Sequence, residues 1–208
     1  MAYRSSDKTR KKKDAKRTAM MQAAVHVFAE KGYHSATVRD VVGAADVAIG
    51  TFYFYFPDKE TLFVHLYEET ADFLLQAIGQ AVSSRSSLPQ QVYAGLSAYA
   101  NIAIYEPAVV QLLLVGGVGA VPSLTAKRAT FRAKLIQIWQ RTLDDALKQA
   151  MILSQNTRRS AEAIAGATDE VVLQLLEYPD PEETAETAVP ELAELILRAV
   201  GYKGPTHK

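Results

Sequence analysis

Apolar residues return every three or four positions through most of this chain, the spacing of helices with one buried stripe. The first stripe is Met20, Ala23, Ala24, Val27 and Phe28, and it stops at Gly32, the residue type expected just past a helix end. Thr37 is placed to cap a short helix over 38–44, with Val41 and Val42 inward, and after Ala45–Asp46–Val47 a second short helix spans 48–54. Asp58 then caps a long helix carrying Leu62, Phe63, Leu66, Phe73, Leu74, Ala77, Ile78 and Ala81. A small, polar linker leads to Pro89 and a helix with Val92, Leu96, Tyr99, Ala100, Ala103 and Ile104; Pro107 restarts a shorter one. Residues 123–153 form a long helix with Phe131, Leu135, Ile138, Trp139 and Leu143 on its apolar side. Asn156 or Thr157 caps the next, and Pro190 opens a last one with Leu192, Leu195, Ile196 and Ala199. No segment sustains a period of two, so the expected fold class is all-α with about nine helices.

One segment resists that reading. Thr51 to Phe56 is aromatic at five of its six positions, which by propensity favours a strand. A lone strand among helices leaves its backbone groups without partners, and Pro57 with the Asp58 cap suits the end of a short helix. Gly116–Gly117–Val118–Gly119 resembles a dinucleotide loop, but it follows a helix, lacks the full spacing and runs into Pro122.

Composition narrows the chemistry. Of 208 residues 49% are apolar and 22% charged, enough for a packed core. No cysteine is present and the four histidines are scattered, so thiolate chemistry is excluded and no metal-ligand spacing appears. Asp144–Asp145 and Glu68–Glu69 are adjacent on helices and diverge, which rules against a convergent carboxylate pair. No Walker loop or GxSxG occurs, so neither an enzyme nor a cofactor is expected. No apolar run is long enough to span a membrane and no secretory h-region follows the N-terminus, so a cytoplasmic location is expected. The net charge of zero divides unevenly: residues 1–65 hold 11 Lys/Arg against 7 Asp/Glu, and the rest hold 12 against 16. Arg4, Lys8, Arg10, Lys11, Lys12, Lys13, Lys16 and Arg17 crowd the start, so a polyanion is drawn to one end of the molecule.

Two short helices joined by a tight turn make a DNA-reading unit when the second enters the major groove. Gly50 and Thr51 are small enough for close approach, the hydroxyls of Tyr53 and Tyr55 and the ammonium of Lys59 can hold phosphates, and Phe52 and Phe56 are core residues. In these residues the chain resembles the TetR/AcrR family of bacterial repressors. The likeness runs from about residue 17 to 62 through Ala23–Ala24, Phe28, Gly32–Tyr33, Thr37–Val38–Arg39–Asp40–Val41, Val47, Gly50–Thr51–Phe52–Tyr53, Tyr55–Phe56 and Lys59–Glu60–Thr61–Leu62. Two positions depart from the family pattern: Asp46 stands where glycine is usual, and Ala48 where Ser or Thr often caps the recognition helix. The resemblance implies that Thr37 caps the second helix and touches a phosphate. It places Ala48, Ile49, Gly50, Thr51 and Phe54 at the groove, and Tyr53, Tyr55 and Lys59 on the backbone. Arg39 either reaches the DNA or pairs with Asp40 or Asp58.

The expected organisation is a basic flexible arm over 1–14, an N-terminal three-helix helix-turn-helix module over 15–62, and a C-terminal helical ligand-binding and dimerisation bundle over 63–208. The family likeness implies a homodimer, and small residues Ala161, Ala165 and Gly166 with Val172, Leu175 and Leu176 are the expected interface. Tyr67, Tyr99, Asn101, Tyr105, Phe131 and Trp139 are candidate lining for a small-molecule effector, Asn101 as a buried amide in need of a partner. The expected function is a transcriptional repressor released from operator DNA by an amphipathic or aromatic effector. The competing readings are an enzyme and a nucleoid-type DNA binder without an effector.

Overall fold

The computed structural model describes residues 7–205, with side chains placed from residue 15 onward; residues 1–6 of the basic arm lie outside the described residues. Nine α-helices and no strand occur among the described residues: α1 (Asp7–Ser35), α2 (Val38–Ala44), α3 (Ile49–Tyr55), α4 (Lys59–Ser83), α5 (Leu88–Tyr105), α6 (Pro107–Leu114), α7 (Leu124–Lys148), α8 (Thr157–Leu175) and α9 (Pro181–Ala199). α1 begins at Asp7, inside the segment expected to be an arm. That run holds neither glycine nor proline, and extending a nucleated helix gains a backbone hydrogen bond for each residue fixed. The helix breaks where the glycine stands, at Gly32 (φ 70°, ψ 164°).

Helices α1 to α3 form an N-terminal head, and α4 leaves it without interruption to pack along α5 and α7. Helix α7 lies on α8, α5 on α9, and α6 turns back to touch α1, so head and body share a continuous core. The aromatic segment is helical, as backbone accounting required. Phe52 and Phe56 are buried to 0% and 2% exposure, each worth about 1.5–3 kcal/mol of apolar burial against a helix-propensity cost of a few tenths per residue.

Two further helix boundaries differ from expectation. The α9 helix starts at Pro181, capped by Asp180, whose side chain accepts from the Glu183 amide; Pro190 is interior, not initial. Glu182 and Glu183 in its first turn complement the helix dipole, a start signal stronger than an isolated proline. The α7 helix stops at Lys148, short of Leu153, because the chain turns at Ala150 (φ 55°). There the Met151 amide donates to the Ala146 carbonyl at 2.9 Å and the Ala150 amide to Leu147 at 2.9 Å, the two bonds of a Schellman end.

Candidate functional site

The head is built around a turn that fixes the angle between two short helices. Thr37 caps α2 as expected: its hydroxyl accepts from the Asp40 amide at 3.2 Å, while the Asp40 carboxylate accepts from the Thr37 amide at 2.8 Å. The Lys31 ammonium donates to the same carboxylate at 2.7 Å, and these donors hold the Asp40 carboxyl well below its ordinary range. At the far end of α2 the Val47 amide donates to Val42 at 3.0 Å and the Asp46 amide to Gly43 at 3.3 Å, with Asp46 at φ 50°. Asp46 thus adopts the left-handed geometry that glycine would adopt, at a cost that a short polar side chain keeps small.

The turn presents α3 with one face in and one face out. Phe52 and Phe56 anchor it, while Ile49, Tyr53 and Phe54 are exposed to 46%, 56% and 66%. Large apolar groups so exposed on one short helix mark a contact surface. Gly50 is exposed beside them, Thr51 and Tyr55 are half-buried, and Ala48 holds the cap position with no side-chain hydrogen bond, so the missing cap foreseen there is real. Arg39 is exposed and has no ion-pair partner among the described residues, since Asp40 pairs with Lys31; the Arg39–Asp40 and Arg39–Asp58 alternatives are not formed.

Lys59 departs from expectation. Its ammonium turns inward and donates to the carbonyls of Tyr33 (2.6 Å) and Ala36 (2.8 Å), with His34 at 3.4 Å, and lies 4.4 Å from the centre of the Tyr33 ring. A cation at the C-terminal carbonyls of α1 is in the favourable position for the helix dipole. Its hydrogens are committed there, so Lys59 builds the head and is not presented to a phosphate.

Residues 20–66 match the family described as "Bacterial regulatory proteins, tetR family". The match covers the head of the chain and the start of α4. Among similar proteins is the fatty acid metabolism regulator protein of Bacillus subtilis (strain 168), 30% identical over 82 residues, 39% of this chain and 42% of that protein. Another is the HTH-type transcriptional repressor KstR2 of Rhodococcus jostii (strain RHA1), 29% identical over 109 residues, 49% of this chain and 53% of that protein. The matches thus span about half the length of these relatives. The transcriptional regulator FadR from Bacillus subtilis, solved in complex with stearoyl-CoA, shares the fold at a TM-score of 0.73 and 20% identity, over 88% of this chain and 96% of that one.

Beyond the matched residues, the body divides the expected effector residues in two. Tyr67, Tyr99, Phe131 and Trp139 are buried in the bundle, at 1%, 1%, 5% and 1% exposure, whereas Asn101 and Tyr105 are exposed. Asn101 is two residues from Tyr99 and so nearly opposite it on α5; Tyr105, one turn further, follows Asn101 outward. Neither faces the core, and the expectation of a buried Asn101 amide is overturned.

Sequence reasoning missed the polar cluster those aromatics meet. The Tyr99 hydroxyl donates to Asp169 at 3.1 Å, and Arg132 of α7 pairs with the same carboxylate. Burial raises the Asp169 carboxyl above its ordinary range, only partly offset by Arg132, and burial pushes the Tyr67 hydroxyl up to about 12. A carboxylate at position 169, bordering the apolar stripe of Ala161, Ala165, Thr168 and Val172, was the available signal. The Tyr67 hydroxyl and the Trp139 indole nitrogen are buried without hydrogen-bond partners.

The expected dimer residues are also redistributed. Ala161, Ala165, Val172 and Leu175 are 0–2% exposed within a single protomer, and Gly166 and Leu176 are half-buried. The small and apolar stripe of α8 packs on its own bundle and is spent there, so those four residues are not available to a second copy. On the last two helices Leu195 is exposed to 54%, and Ala167, Val171 and Ala188 are half-buried. No helix among the described residues is long and apolar enough to cross a membrane, and no group of three or more His, Cys, Asp or Glu there is arranged to hold a metal ion.

Proposed function

We propose that this chain is a sequence-specific DNA-binding transcriptional regulator, a repressor that acts in the cytoplasm as a homodimer and leaves its operator when a small amphipathic molecule enters the helical body. The observation that carries the reading is α3, a helix pinned by Phe52 and Phe56 whose outer side exposes Ile49, Gly50, Tyr53 and Phe54. A helix so presented after a tight turn suits the major groove, with Gly50 and Thr51 approaching base edges and the Tyr53 hydroxyl, Thr37 and Arg39 on the backbone. Tyr55 and Lys59 take supporting places. The positive balance of residues 1–65 favours a polyanion at this end.

Two heads one or more DNA turns apart need two-fold symmetry. The surface we assign to the second copy is the outer side of α8 and α9 around Leu195, Ala167, Val171 and Ala188. Effector binding shifts the population toward dimers whose recognition helices are wrongly spaced. Repression is the function in the name of the Rhodococcus relative, and stearoyl-CoA, bound in the Bacillus FadR structure, is one effector to try.

Selection of binding sites from random DNA with the full chain tests this. The expected product is an inverted repeat bound about 10³-fold or more above random DNA at physiological salt. Recovery of no preferred sequence, with binding that follows salt alone, refutes the specific-regulator reading and favours a backbone binder.

A further inference from the structure

One cation beside α4 meets no carboxylate among the described residues. Four basic residues lie over 127–134 of α7, and three are paired: Lys127 with Glu68 and Lys134 with Asp72 at 3.2 Å, both across to α4, and Arg132 with Asp169 of α8. Arg128 is not. Its guanidinium lies 5.8 Å from the centre of the Tyr67 ring and donates to the carbonyls of Leu114 (2.7 Å) and Gly116 (3.0 Å). Beside it the Tyr67 hydroxyl, 1% exposed as a residue, has no partner. A buried donor left idle next to a cation whose charge no carboxylate balances is a site for an anion with acceptor oxygens. A small space of about 70 Å³ is floored by Tyr67 and Phe131, with the Lys127–Glu68 and Lys134–Asp72 pairs around it; Arg128 is not among its walls and reaches it only by leaving its carbonyls. A carboxylate group matches that scale, and the chain behind it must part α4 from α7.

The carbonyls Arg128 holds belong to the end of α6 and the loop after it, which lie against α1 of the head. Gly117 follows them at φ 66°, so close to α4 that a Cβ there would lie 2.6 Å from Phe63 Cε1. Phe63 meets Phe28 edge-on at 4.7 Å and Tyr33 at 5.0 Å, and Tyr33 is the ring under Lys59. We propose that Tyr67 and Arg128 receive the carboxylate end of an amphipathic effector. Arg128, drawn to that carboxylate, then releases the carbonyls of Leu114 and Gly116 and loosens the seat of the α6–α7 loop on Phe63. This rests on the reading of the body as the effector-binding part and adds the ligand's chemistry and the residue that reports it.

The test uses the sole tryptophan, Trp139, buried in the same bundle, so ligand entry is read by intrinsic fluorescence without any DNA. The probes are decanoate and 2-naphthoate, each beside its neutral alcohol, titrated into the full chain. At least one acid is expected to saturate at a concentration about tenfold below its alcohol, the effect of a charge-assisted hydrogen bond. Arg128→Met abolishes that preference and Arg128→Lys retains part of it. In the absence of probe, Arg128→Met also speeds amide exchange over residues 114–119. Alcohols binding as well as acids, silence from all four probes, or an acid preference that survives Arg128→Met in a folded protein overturns the site. Unchanged exchange at 114–119 overturns the relay. Because the fluorescence limb contains no operator, a chain that binds acids through Arg128 but selects no DNA sequence would sink the regulator reading and leave this one standing.

Discussion

Gly50 offers a perturbation in which folding and DNA binding are expected to move in opposite directions. A Cβ built on Gly50 meets no atom within 4 Å, the residue is exposed, and it lies in the first turn of α3 with no positive φ to protect. Replacing glycine by alanine in a helix gains about 0.5–1 kcal/mol, and the first turn belongs at the lower end, so Gly50→Ala is expected to add about 0.5 kcal/mol. For a chain of 208 residues that raises Tm by about 1–2 °C. Gly50→Trp, entering open solvent, should stay within about 0.5 kcal/mol of the parent. Against DNA the same added bulk holds the helix off the groove. A well-made pairing between a side chain and a base edge is worth about 1–3 kcal/mol, so breaking two carries Gly50→Trp at least about 30-fold down, toward its affinity for random sequence. Fluorescence anisotropy with the selected operator and a scrambled duplex at physiological salt, alongside thermal melts, reads both quantities. Operator affinity within twofold of the parent for Gly50→Trp, with the melt unchanged, would refute the placement of α3 in the groove.

Lys59→Met should lower stability by about 1–2 kcal/mol through the α1 carbonyls it leaves bare, with the slope of log affinity against log salt unchanged; a slope reduced by about one would return Lys59 to the phosphates. Ala150→Gly relieves a left-handed residue that has no polar side chain and should add about 1 kcal/mol, or about 2–4 °C in Tm, by calorimetry. The Asp40 carboxyl is depressed in the fold chiefly by Lys31 and then by Thr37, so its contribution is present above the ordinary aspartate range and lost as pH falls through and below it. Urea melts of the parent and Asp40→Ala should therefore differ at pH 7 and converge as pH falls below about 4; a gap constant with pH would discard the assignment. Leu195→Arg should shift sedimentation from dimer to monomer while leaving the helical circular dichroism intact, and a persistent dimer would move the interface elsewhere.

The head was legible almost residue by residue because its determinants are local. A cap and its partner sit three residues apart in Thr37 and Asp40, a helix end is signalled at Gly32, and the alternation of Phe52 and Phe56 with Tyr53 and Phe54 sets which side of α3 is buried. The inward turn of Lys59 was not, since its acceptors are carbonyls 23 to 26 residues away and a lysine says nothing of where its flexible stem will lead. In the body, periodicity located the helices but not which neighbour each stripe faces. The Ala161, Ala165 and Val172 stripe has the same composition whether it meets α7 or a second copy, and only the packed bundle decides. Asn101 was a different error. Its angle from Tyr99 on a helix is about 200°, so the register already excluded a shared inward face.

The packing around α4 also bears on how the proposed effector site would act on the head. Phe63 and Tyr67 are four residues apart on α4 and therefore share one side of it, one turn above the other. The segment after α6 grips both: Gly117 lies on the Phe63 ring, and Arg128, holding the carbonyl of Gly116, lies over Tyr67. Two points of support one turn apart fix the angle of a helix as well as its position, which a single one would leave free to pivot. Phe63 in turn sits on α1 through Phe28, the Tyr33–Lys59 junction ties the start of α4 to the end of α1, and α1 packs directly on α2 and α3. A ligand therefore need not push on the recognition helix. On the proposed mechanism, losing Arg128 from Tyr67 and loosening Gly117 on Phe63 leaves the angle of α4 less fixed, and the spacing of two heads in the proposed dimer turns that freedom into a misfit with the groove.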